Sequence, residues 1–498
     1  MPASPPFRPL AGDGAARLRG VLDDAGFTLA AIAGVIGEEA LTHGRRSIPL
    51  VLRRTAQSDR ISTLIRLFLA PVAVPLDAAA KALEPVPVDD LLDAGVLAAG
   101  GGGTVHGGVH LRHHDGLILA VDPEPLLTGL PVAEDHVMGL SRGTLMLSRL
   151  TDTLDAEAAV DIGTGSGLQA LVLSRRATRV VATDITDRAV AMARFNAALN
   201  GITTVDVRQG DLFEPVHGEQ FDVVVSNPPY VVAPPLVQRF VSGRREADGI
   251  SAHMARTAPR HLRPGGRAYI LAEWIVPFGR DWEERVSPWF EGSGCDASVL
   301  AFSTTAVDEY ATRWIPPGEH DAEGYAREFD AWMRWYAERG IEAITFGLIT
   351  MRRREGTGES LRMTTPPLRF NDIDGDDLQL ALALGRWVRM VDPDAFLATR
   401  LRLTDDARLL RECVVEGGEW VWRSSAIGAE NAIANPVEID TAIERLAARC
   451  DGRRTVAELL ADDTASREGS DGETAARLVP ELRRLVERGL LLPVDEEG

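Results

Sequence analysis

The sequence predicts an α/β fold for the middle of the chain, with a mostly parallel sheet that is covered by helices on both faces. Two observations lead to it: apolar strand-like segments alternate with helical segments over residues 140–355, and successive strands end in polar residues. Alternation of this kind implies right-handed crossovers between parallel strands. Strands that are buried on both faces are continuously apolar, as these segments are.

Seven segments have the composition of strands. In chain order they are AAVDIG, RVVATD, VDVRQGD, FDVVVSNPP, RAYILAEW, ASVLAFS and EAITFGLITMRRR. Between them, SGLQALVLSRR and DRAVAMARFNAALNG have helical spacing, and Gly201 ends the second helix. A later helix has aromatic side chains on several faces, which we interpret as packing residues; the alternative is a substrate-facing lid. These aromatics are Tyr325, Phe329, Trp332, Trp335 and Tyr336.

Helical segments flank the central region on both sides. We divide the chain into a disordered lead-in (1–14), an N-terminal domain (15–122), the central domain (123–355) and a C-terminal domain (366–498). Both flanking domains combine helices with short strand-like segments, and the N-terminal one ends in a hairpin that turns at Asp115-Gly116. This combination predicts mostly helical, winged-helix-like domains. Such domains bind nucleic acid or serve as dimer or docking units, and we favour the second role.

The composition limits the partners and the compartment. The net charge of -20 argues against broad, charge-driven binding of nucleic acid. No apolar run reaches the roughly 18–20 residues of a membrane span, so we expect no membrane contact. The three cysteines lie far apart without a Cys-x-x-Cys pair, which fits a reducing cytoplasm and predicts neither a disulfide framework nor a zinc site. We expect all three thiols to be buried.

Four histidines cluster on the predicted hairpin: His106, His110, His113 and His114. Histidine is a common metal ligand. Their alternate spacing along a strand, without a partnering set of Cys or Asp, favours surface exposure instead. We therefore expect no metal site.

A glycine-rich loop, DIGTGSG, follows the first strand of the predicted sheet. Its glycines Gly163, Gly165 and Gly167 permit a tight turn and the close approach of a ligand to backbone N–H groups at the start of the next helix. The dinucleotide fingerprint is Gly-x-Gly-x-x-Gly, and here Leu168 stands where that pattern needs its third glycine. The loop therefore predicts a ligand site at the start of this helix, without the dinucleotide spacing.

Polar residues end the first four strands of the predicted sheet, at Asp161, Asp184, Asp211 and Asn227. The carboxyl ends of parallel strands form the edge where ligands bind in such sheets. Asp184 lies about 20 residues beyond the loop, where an acidic side chain can accept hydrogen bonds from ribose hydroxyls. Each acid alone could instead cap a helix, the interpretation that we prefer for Asp187.

The order DIGTGSG, ATD, GDLF and NPPY within residues 140–355 resembles that of class I S-adenosylmethionine-dependent methyltransferases. It is most similar to the Asn-Pro-Pro-Tyr branch, which includes release-factor glutamine, ribosomal-RNA guanine and DNA adenine methyltransferases. The resemblance implies a Rossmann-like, seven-stranded methyltransferase sheet, with S-adenosylmethionine as cofactor and S-adenosylhomocysteine as product. The cofactor-binding residues that it implies are Asp161, Gly163, Thr164, Gly165, Gly167, Asp184, Ile185, Asp211, Leu212 and Asn227.

The motif residues Asn227, Pro228, Pro229 and Tyr230 are the predicted catalytic residues. The acceptor must be a planar nitrogen, and the side-chain oxygen of Asn227 and the carbonyl of Pro228 can each accept one of its hydrogens. Prolines stiffen the turn and donate no competing N–H, and the Tyr230 ring can stack on the planar group. Catalysis then consists mainly of positioning and electrostatics, and a dedicated general base is not required.

The predicted activity is methyl transfer to a planar amide or amine nitrogen, with a protein glutamine as the preferred substrate. The net charge favours protein over RNA, and EADGISAHMARTAPRHLRPGGRAYILAEW resembles the segment that follows the motif in release-factor enzymes. The flanking domains do not match the usual recognition domain of those enzymes. The alternatives are an RNA or DNA base methyltransferase and an S-adenosylmethionine-binding assembly or regulatory protein. The sequence predicts no oligomeric state.

Overall fold

The chain divides into two compact units, Met1–Thr364 and Thr365–Gly498, in the computed structural model. The structure describes residues 6–38, 47–57, 59–70, 72–124, 133–234, 247–315, 322–364, 375–429, 436–465 and 471–494. Residues 1–5 of the predicted lead-in lie outside these ranges.

The first unit begins with helices that close on a small antiparallel sheet. The elements are α1 (Gly14–Asp24), α2 (Leu29–Ile36), α3 (Ile48–Arg54), α4 (Arg60–Phe68), β1 (Val74–Pro75), α5 (Leu76–Leu83), α6 (Val88–Asp93), β2 (Leu97–Ala99) and β3 (Thr104–Gly107). The strand order is β1-β3-β2. The assignment to a winged-helix-like domain stays a prediction. Phe7, inside the predicted lead-in, is buried and packs edge-on against Phe195 with ring centroids 5.5 Å apart.

The predicted hairpin is confirmed as a separate two-stranded sheet of β4 (His110–His114) and β5 (Leu117–Val121). It turns at Asp115 and Gly116, which both have positive φ angles of 44° and 80°. The expected exposure of its histidines is wrong for His110 and His114, which are buried. The physical reason is that the hairpin packs inside the unit: the Nε2 atom of His114 lies 3.0 Å from the hydroxyl of Ser148.

The central sheet contains all seven predicted strands. They are β6 (Ala156–Ile162), β7 (Ala177–Asp184), β8 (Val205–Gln209), β9 (Phe221–Ser226), β10 (Leu262–Pro277), β11 (Cys295–Ala306) and β12 (Ile341–Arg353). The sheet has an eighth strand that the sequence analysis missed, the edge strand β13 (Ser360–Thr364), and the order is β13-β11-β12-β10-β9-β6-β7-β8. β13 is short and mixes polar with apolar residues, so it lacks the apolar run of a central strand.

The strands from β10 through β9, β6 and β7 to β8 pair in parallel, whereas β12 is antiparallel to both β10 and β11. The helices of this region are α7 (Arg142–Thr151), α8 (Leu168–Leu173), α9 (Asp187–Leu199), α10 (Gly249–Thr257), α11 (Trp282–Val286), α12 (Val307–Trp314) and α13 (Ala322–Glu338). Helix α9 begins one residue earlier than a cap at Asp187 would give, because the side chain of Thr186 rather than Asp187 caps it and accepts from the N–H of Ala189.

Helix α9 joins the hairpin to the central sheet through two asparagines one turn apart. The amide of Asn196 accepts from the N–H of Ala120 at 2.7 Å and donates to its carbonyl at 2.9 Å. Asn200 makes the same pair of bonds to Ile118, at 3.0 and 2.8 Å. The two side-chain amides thus form hydrogen bonds with strand β5 as the backbone of a neighbouring strand would. These bonds fix the hairpin on helix α9.

The aromatic residues of helix α13 are packing residues, as interpreted from the sequence. Trp332, Trp335 and Tyr336 are buried in one apolar cluster, and Tyr325 and Phe329 pack partly buried against it. The cluster also contains residues 231–233, which directly follow the Asn-Pro-Pro-Tyr motif. The helix is therefore part of the support behind this motif.

The second unit combines helices with two three-stranded sheets, of order β18-β14-β19 and β15-β16-β17. Its elements are α14 (Gly375–Met390), α15 (Pro393–Ala398), β14 (Arg400–Leu403), β15 (Ala407–Glu416), β16 (Glu419–Ala429), β17 (Val437–Ile439), α16 (Thr441–Ala448), β18 (Asp451–Thr455), α17 (Val456–Ala465), α18 (Asp471–Glu487) and β19 (Leu491–Val494). Of the three cysteines, Cys295 and Cys450 are buried as expected, whereas Cys413 on β15 is exposed. Among the described residues, no helix has the length and hydropathy to cross a membrane.

Candidate functional site

A cavity of about 540 Å³ opens at the carboxyl ends of the parallel strands. The structure brings ten of the predicted site residues into its wall: Asp161, Gly163, Thr164, Gly165, Asp184, Ile185, Asp211, Leu212, Asn227 and Pro229. These residues come from four successive strand ends and the loops that follow them. The parallel sheet therefore gathers them at one edge, as the order of the strands predicted.

Three predicted residues lie outside the cavity wall: Gly167, Pro228 and Tyr230. Gly167 precedes helix α8 with a φ of 89°, and a Cβ there would lie 3.3 Å from Ala193 on helix α9. A glycine is required here because the backbone is left-handed and because helices α8 and α9 pack closely at this point. The carbonyl of Pro228 accepts from the N–H of Tyr230 at 2.8 Å, so one of its two lone pairs is already used.

The glycine loop is held by the two carboxylates that the sequence singled out. The Oδ2 atom of Asp161 accepts from the hydroxyl of Thr164 at 2.5 Å and from the N–H of Ala170 at 3.2 Å. The Oδ2 atom of Asp184 accepts from the N–H of Gly165 at 3.0 Å. Gly165 itself has a φ of 54° and open space around its α-carbon, so the backbone there is accessible from the cavity.

Burial dominates the electrostatics of these two carboxyl groups. It raises the pKa of Asp161 to about 7, although the bonds from Thr164 and Ala170 act in the opposite direction. Burial also raises the pKa of Asp184, against the bonds that its oxygens accept from Thr186 and Gly165. A ligand that supplies hydroxyl donors or a positive charge would stabilise the ionised forms, because hydrogen bonds and opposite charges favour a carboxylate.

Leu212 has a backbone conformation that is rare for a branched residue, with a φ of 49°. The hydroxyl of Thr183 donates to its carbonyl at 2.9 Å and holds this conformation. The turn places both Asp211 and Leu212 in the cavity wall. Such outliers persist where surrounding structure fixes them, and they concentrate at functional sites.

Thr144 was missed by the sequence analysis. It lies in the first turn of helix α7, whose cap Ser141 accepts from the N–H of Thr144 at 3.1 Å. The Nδ2 atom of Asn227 donates to the hydroxyl oxygen of Thr144 at 2.9 Å. In this arrangement the nitrogen end of the amide is paired with Thr144. Within the described residues no hydrogen bond to the Oδ1 atom of Asn227 is formed, so that oxygen can accept from a ligand.

Residues 134–139 form a second part of the wall that the sequence analysis missed. Their anchor is Asp122, whose Oδ2 atom accepts from the N–H of Val137 at 2.8 Å. Asp122 also forms a buried, two-pronged ion pair with Arg188 on helix α9. The segment has neither helical nor strand periodicity. Its position at the cavity is explained by the bond to Asp122 and by the ion pair that holds Asp122 in place.

Comparisons with known proteins agree with this geometry. Residues 139–284 match the family model described as "Methyltransferase small domain". This segment is similar to methyltransferase domains. Residues 24–107, in the helical N-terminal region, match a model described as "Domain of unknown function (DUF7059)". The resemblance to methyltransferases, inferred from the motifs, is therefore confirmed for the segment that forms the cavity.

Two curated relatives each match part of this chain. A release factor glutamine methyltransferase of Xylella fastidiosa is 39% identical over 143 residues, which cover 26% of this chain and 50% of the relative. A ribosomal RNA small subunit methyltransferase C of Chromohalobacter salexigens is 31% identical over 196 residues, covering 37% and 53%. The chain thus spans about half the length of the curated relatives that it matches.

A crystal structure of a methyltransferase from Pyrococcus furiosus also aligns, with a TM-score of 0.27 and 19% identity. The alignment covers 47% of this chain and 89% of that one.

Proposed function

We propose that the chain is an S-adenosylmethionine-dependent N-methyltransferase that acts on a planar amide or amine nitrogen, with a protein glutamine as its preferred substrate. The observation that carries the proposal is the orientation of Asn227. Its nitrogen is bonded to Thr144, and its oxygen is left to accept a hydrogen bond at the cavity wall. A side-chain oxygen held in this way can orient an –NH₂ group.

The cavity fits the methyl donor in its chemistry and its size. A volume of about 540 Å³ is within the range of small-molecule sites. Helix α8 lines the cavity at Leu168 and Gln169, in its first turn, where backbone N–H groups lack intrahelical partners, and Asp184 offers a carboxylate to hydroxyl groups. When bound, S-adenosylmethionine supplies an activated methyl group on a positively charged sulfur. Asp161, Gly163, Gly165, Asp184 and Asp211 would hold it.

The residues of the motif would act by positioning the acceptor. The Oδ1 atom of Asn227 accepts one hydrogen of the substrate –NH₂, and the remaining lone pair of the Pro228 carbonyl can accept the other. The half-buried ring of Tyr230 offers a face for a planar group. Fixing both hydrogens aims the nitrogen lone pair and limits its motion, which is how oriented sites lower a barrier.

A protein substrate is favoured over RNA by charge. Helix α6 exposes Asp89, Asp90 and Asp93, and the whole chain has a net charge of -20. Such a surface repels phosphates and attracts basic protein segments. The similarity to a relative named release factor glutamine methyltransferase points the same way, whereas the relative named for ribosomal RNA keeps an RNA base as the second candidate. We place the reaction in the cytoplasm.

Labelled methyl transfer tests this proposal. The full chain is incubated with S-adenosylmethionine labelled on its methyl group and with either a purified bacterial release factor or ribosomal RNA. We expect label in the release factor, on the side-chain amide of a glutamine after proteolysis. Label that is found only in RNA would replace protein by an RNA base as the substrate. If neither macromolecule nor a cell extract accepts label, the proposed activity is wrong.

A further inference from the structure

The segment that follows the Asn-Pro-Pro-Tyr motif is held by two tyrosine hydroxyls from distant parts of the chain. The N–H of Val232 donates to the Oη atom of Tyr310 on helix α12 at 3.1 Å. The carbonyl of Val232 accepts from the Oη atom of Tyr336 on helix α13 at 2.8 Å. Val232 is fully buried, so water has no access to either group. The carbonyl of Val232 therefore depends on Tyr336, and its N–H depends on Tyr310 together with the nearby carboxyl group of Glu273.

Glu273 extends this network into the central sheet. It lies on strand β10 and is buried, and its Oε2 atom accepts from the hydroxyl of Tyr310. A tyrosine hydroxyl has a single proton. Because Tyr310 accepts from Val232 and donates to Glu273, its orientation is fixed from both sides.

Packing ties the same helices to the motif. Tyr310, Trp332, Trp335 and Tyr336 form one apolar cluster with residues 231–233, and Tyr230 packs against it. The ring of Tyr230 also lies 5.8 Å from that of Phe346 on strand β12. The part of the sheet that follows strand β10 thus contacts the far end of the motif.

We propose that Tyr310, Tyr336 and Glu273 are positioning residues, which set the place of Asn227 and Tyr230 by fixing Val232. This inference rests on the proposed function. The two prolines between Asn227 and Tyr230 restrict the backbone, so a displacement at Val232 is passed to Asn227 rather than absorbed. Asn227 is then held at two points, directly by Thr144 and indirectly by the tyrosines.

The surroundings of Glu273 keep the network uncharged at neutral pH. Burial raises its pKa to about 8, while the hydroxyl of Tyr310, the backbone of Val232 and the more distant charge of Arg313 act in the opposite direction. Tyr230, Tyr310 and Tyr336 all face the carboxyl group closely enough that its charge adds to the effect of burial in raising their own pKa values. Uncharged partners suit a hydrogen-bond network that fixes the position of the backbone at Val232.

The test compares three single replacements of tyrosine by phenylalanine, at positions 310, 336 and 325. Tyr325 lies on the same helix as Tyr336 and packs against the same cluster, but Val232 receives its bonds from the other two. We expect Tyr310→Phe and Tyr336→Phe to lower kcat about 10- to 100-fold, the range for a misplaced reacting group. The dissociation constant of S-adenosylmethionine should stay within two-fold, and Tyr325→Phe should match the parent in both.

A second pair of variants separates positioning from general packing. Glu273→Gln keeps an oxygen that can accept from Tyr310, so its kcat should stay close to that of the parent, whereas Glu273→Leu should lose kcat as Tyr310→Phe does. If the parent is active and kcat is unchanged in Tyr310→Phe and Tyr336→Phe, this inference is wrong, whereas the proposed function is unaffected. Equal losses in all three tyrosine variants, with lowered melting temperatures, would also overturn it. A parent that is inactive on every substrate would contradict the proposed function and this inference together.

Discussion

The two sides of Asn227 are built differently. On the cavity side, the start of helix α8 and the strand ends present backbone groups, carboxylates and the Asn227 oxygen to an open volume of about 540 Å³. On the opposite side, around Val232, the polar groups are buried and bonded to Tyr310, Tyr336 and, through Tyr310, to Glu273. On the cavity side, hydrogen-bonding groups remain for a ligand, whereas on the buried side the protein itself supplies the hydrogen-bond partners.

This difference separates residues that act on the ligand from residues that support them. A change on the cavity side should alter binding or methyl transfer with a smaller effect on stability, because Asp184 and Asn227 are only partly buried there. A change on the buried side leaves a polar group without a partner, which costs stability as well. Variants on the two sides should therefore differ in the balance of these two effects.

The largest expected effect follows the removal of the Asn227 side chain. Asn227→Ala should lower kcat about 100- to 1000-fold, the range for the loss of one preorganised polar group in an active site. The melting temperature should change little, because Asn227 is only half-buried. Steady-state kinetics with the labelled donor measure this loss. Undiminished methyl transfer would point instead to a binding protein or to a different acceptor site.

A smaller effect is expected from Thr144, which orients the amide of Asn227. Thr144→Val removes the acceptor of the bond from Nδ2 and keeps the shape of the side chain. A lost hydrogen bond of about 1 kcal/mol corresponds to a fall in kcat of roughly five- to ten-fold. Thr144→Ser is the matched control, since it keeps the hydroxyl and should retain most of the activity. If valine and serine behave alike, the hydroxyl does not orient Asn227.

The smallest expected effect on kcat is that of Glu273→Gln, which should instead give a pH-dependent gain in stability on the buried side. The pKa of Glu273 is raised to about 8 in the folded chain, from about 4.3 in an unfolded one. Between these pH values the folded chain keeps a proton that the unfolded chain has lost, so rising pH destabilises the parent by up to about 1.4 kcal/mol per pH unit. Glu273→Gln removes this dependence.

Melting temperatures between pH 5 and pH 9 measure the effect. The difference between Glu273→Gln and the parent should grow in favour of the variant up to about pH 8 and then level off. Glu323→Gln, on an exposed part of helix α13, controls for the removal of a charge. A difference that is independent of pH would mean that Glu273 does not titrate in this range.

The cavity side was predictable because its parts are close in sequence or fixed by the parallel sheet. Thr164 donates to Asp161 three residues away, and Gly165 to Asp184 nineteen residues away. Apolar runs that alternate with helices predict a parallel sheet, and the carboxyl ends of its strands share one edge. The seven predicted strands follow from this pattern, whereas Thr164, Ile185 and Leu212 were implied only by the resemblance to methyltransferases.

The remaining parts depend on contacts that no local pattern encodes. Thr144 meets Asn227 across 83 residues, and Tyr310 and Tyr336 reach Val232 across 78 and 104 residues. The aromatic residues of helix α13 predicted packing, but the sequence does not show which segment they pack against. The histidines of β4 were expected to be exposed, because the sequence does not reveal that the hairpin packs on helix α9.

Titration of the chain with S-adenosylmethionine in a calorimeter tests the central claim most directly. Gly165 and Gly201 share a positive φ, of 54° and 67°, and open space around the α-carbon, but only Gly165 lines the cavity. We predict saturable binding to the parent and to Gly201→Arg, and no heat with Gly165→Arg, whose side chain would occupy the cavity. No binding to the parent, or equal binding to all three, would contradict the account.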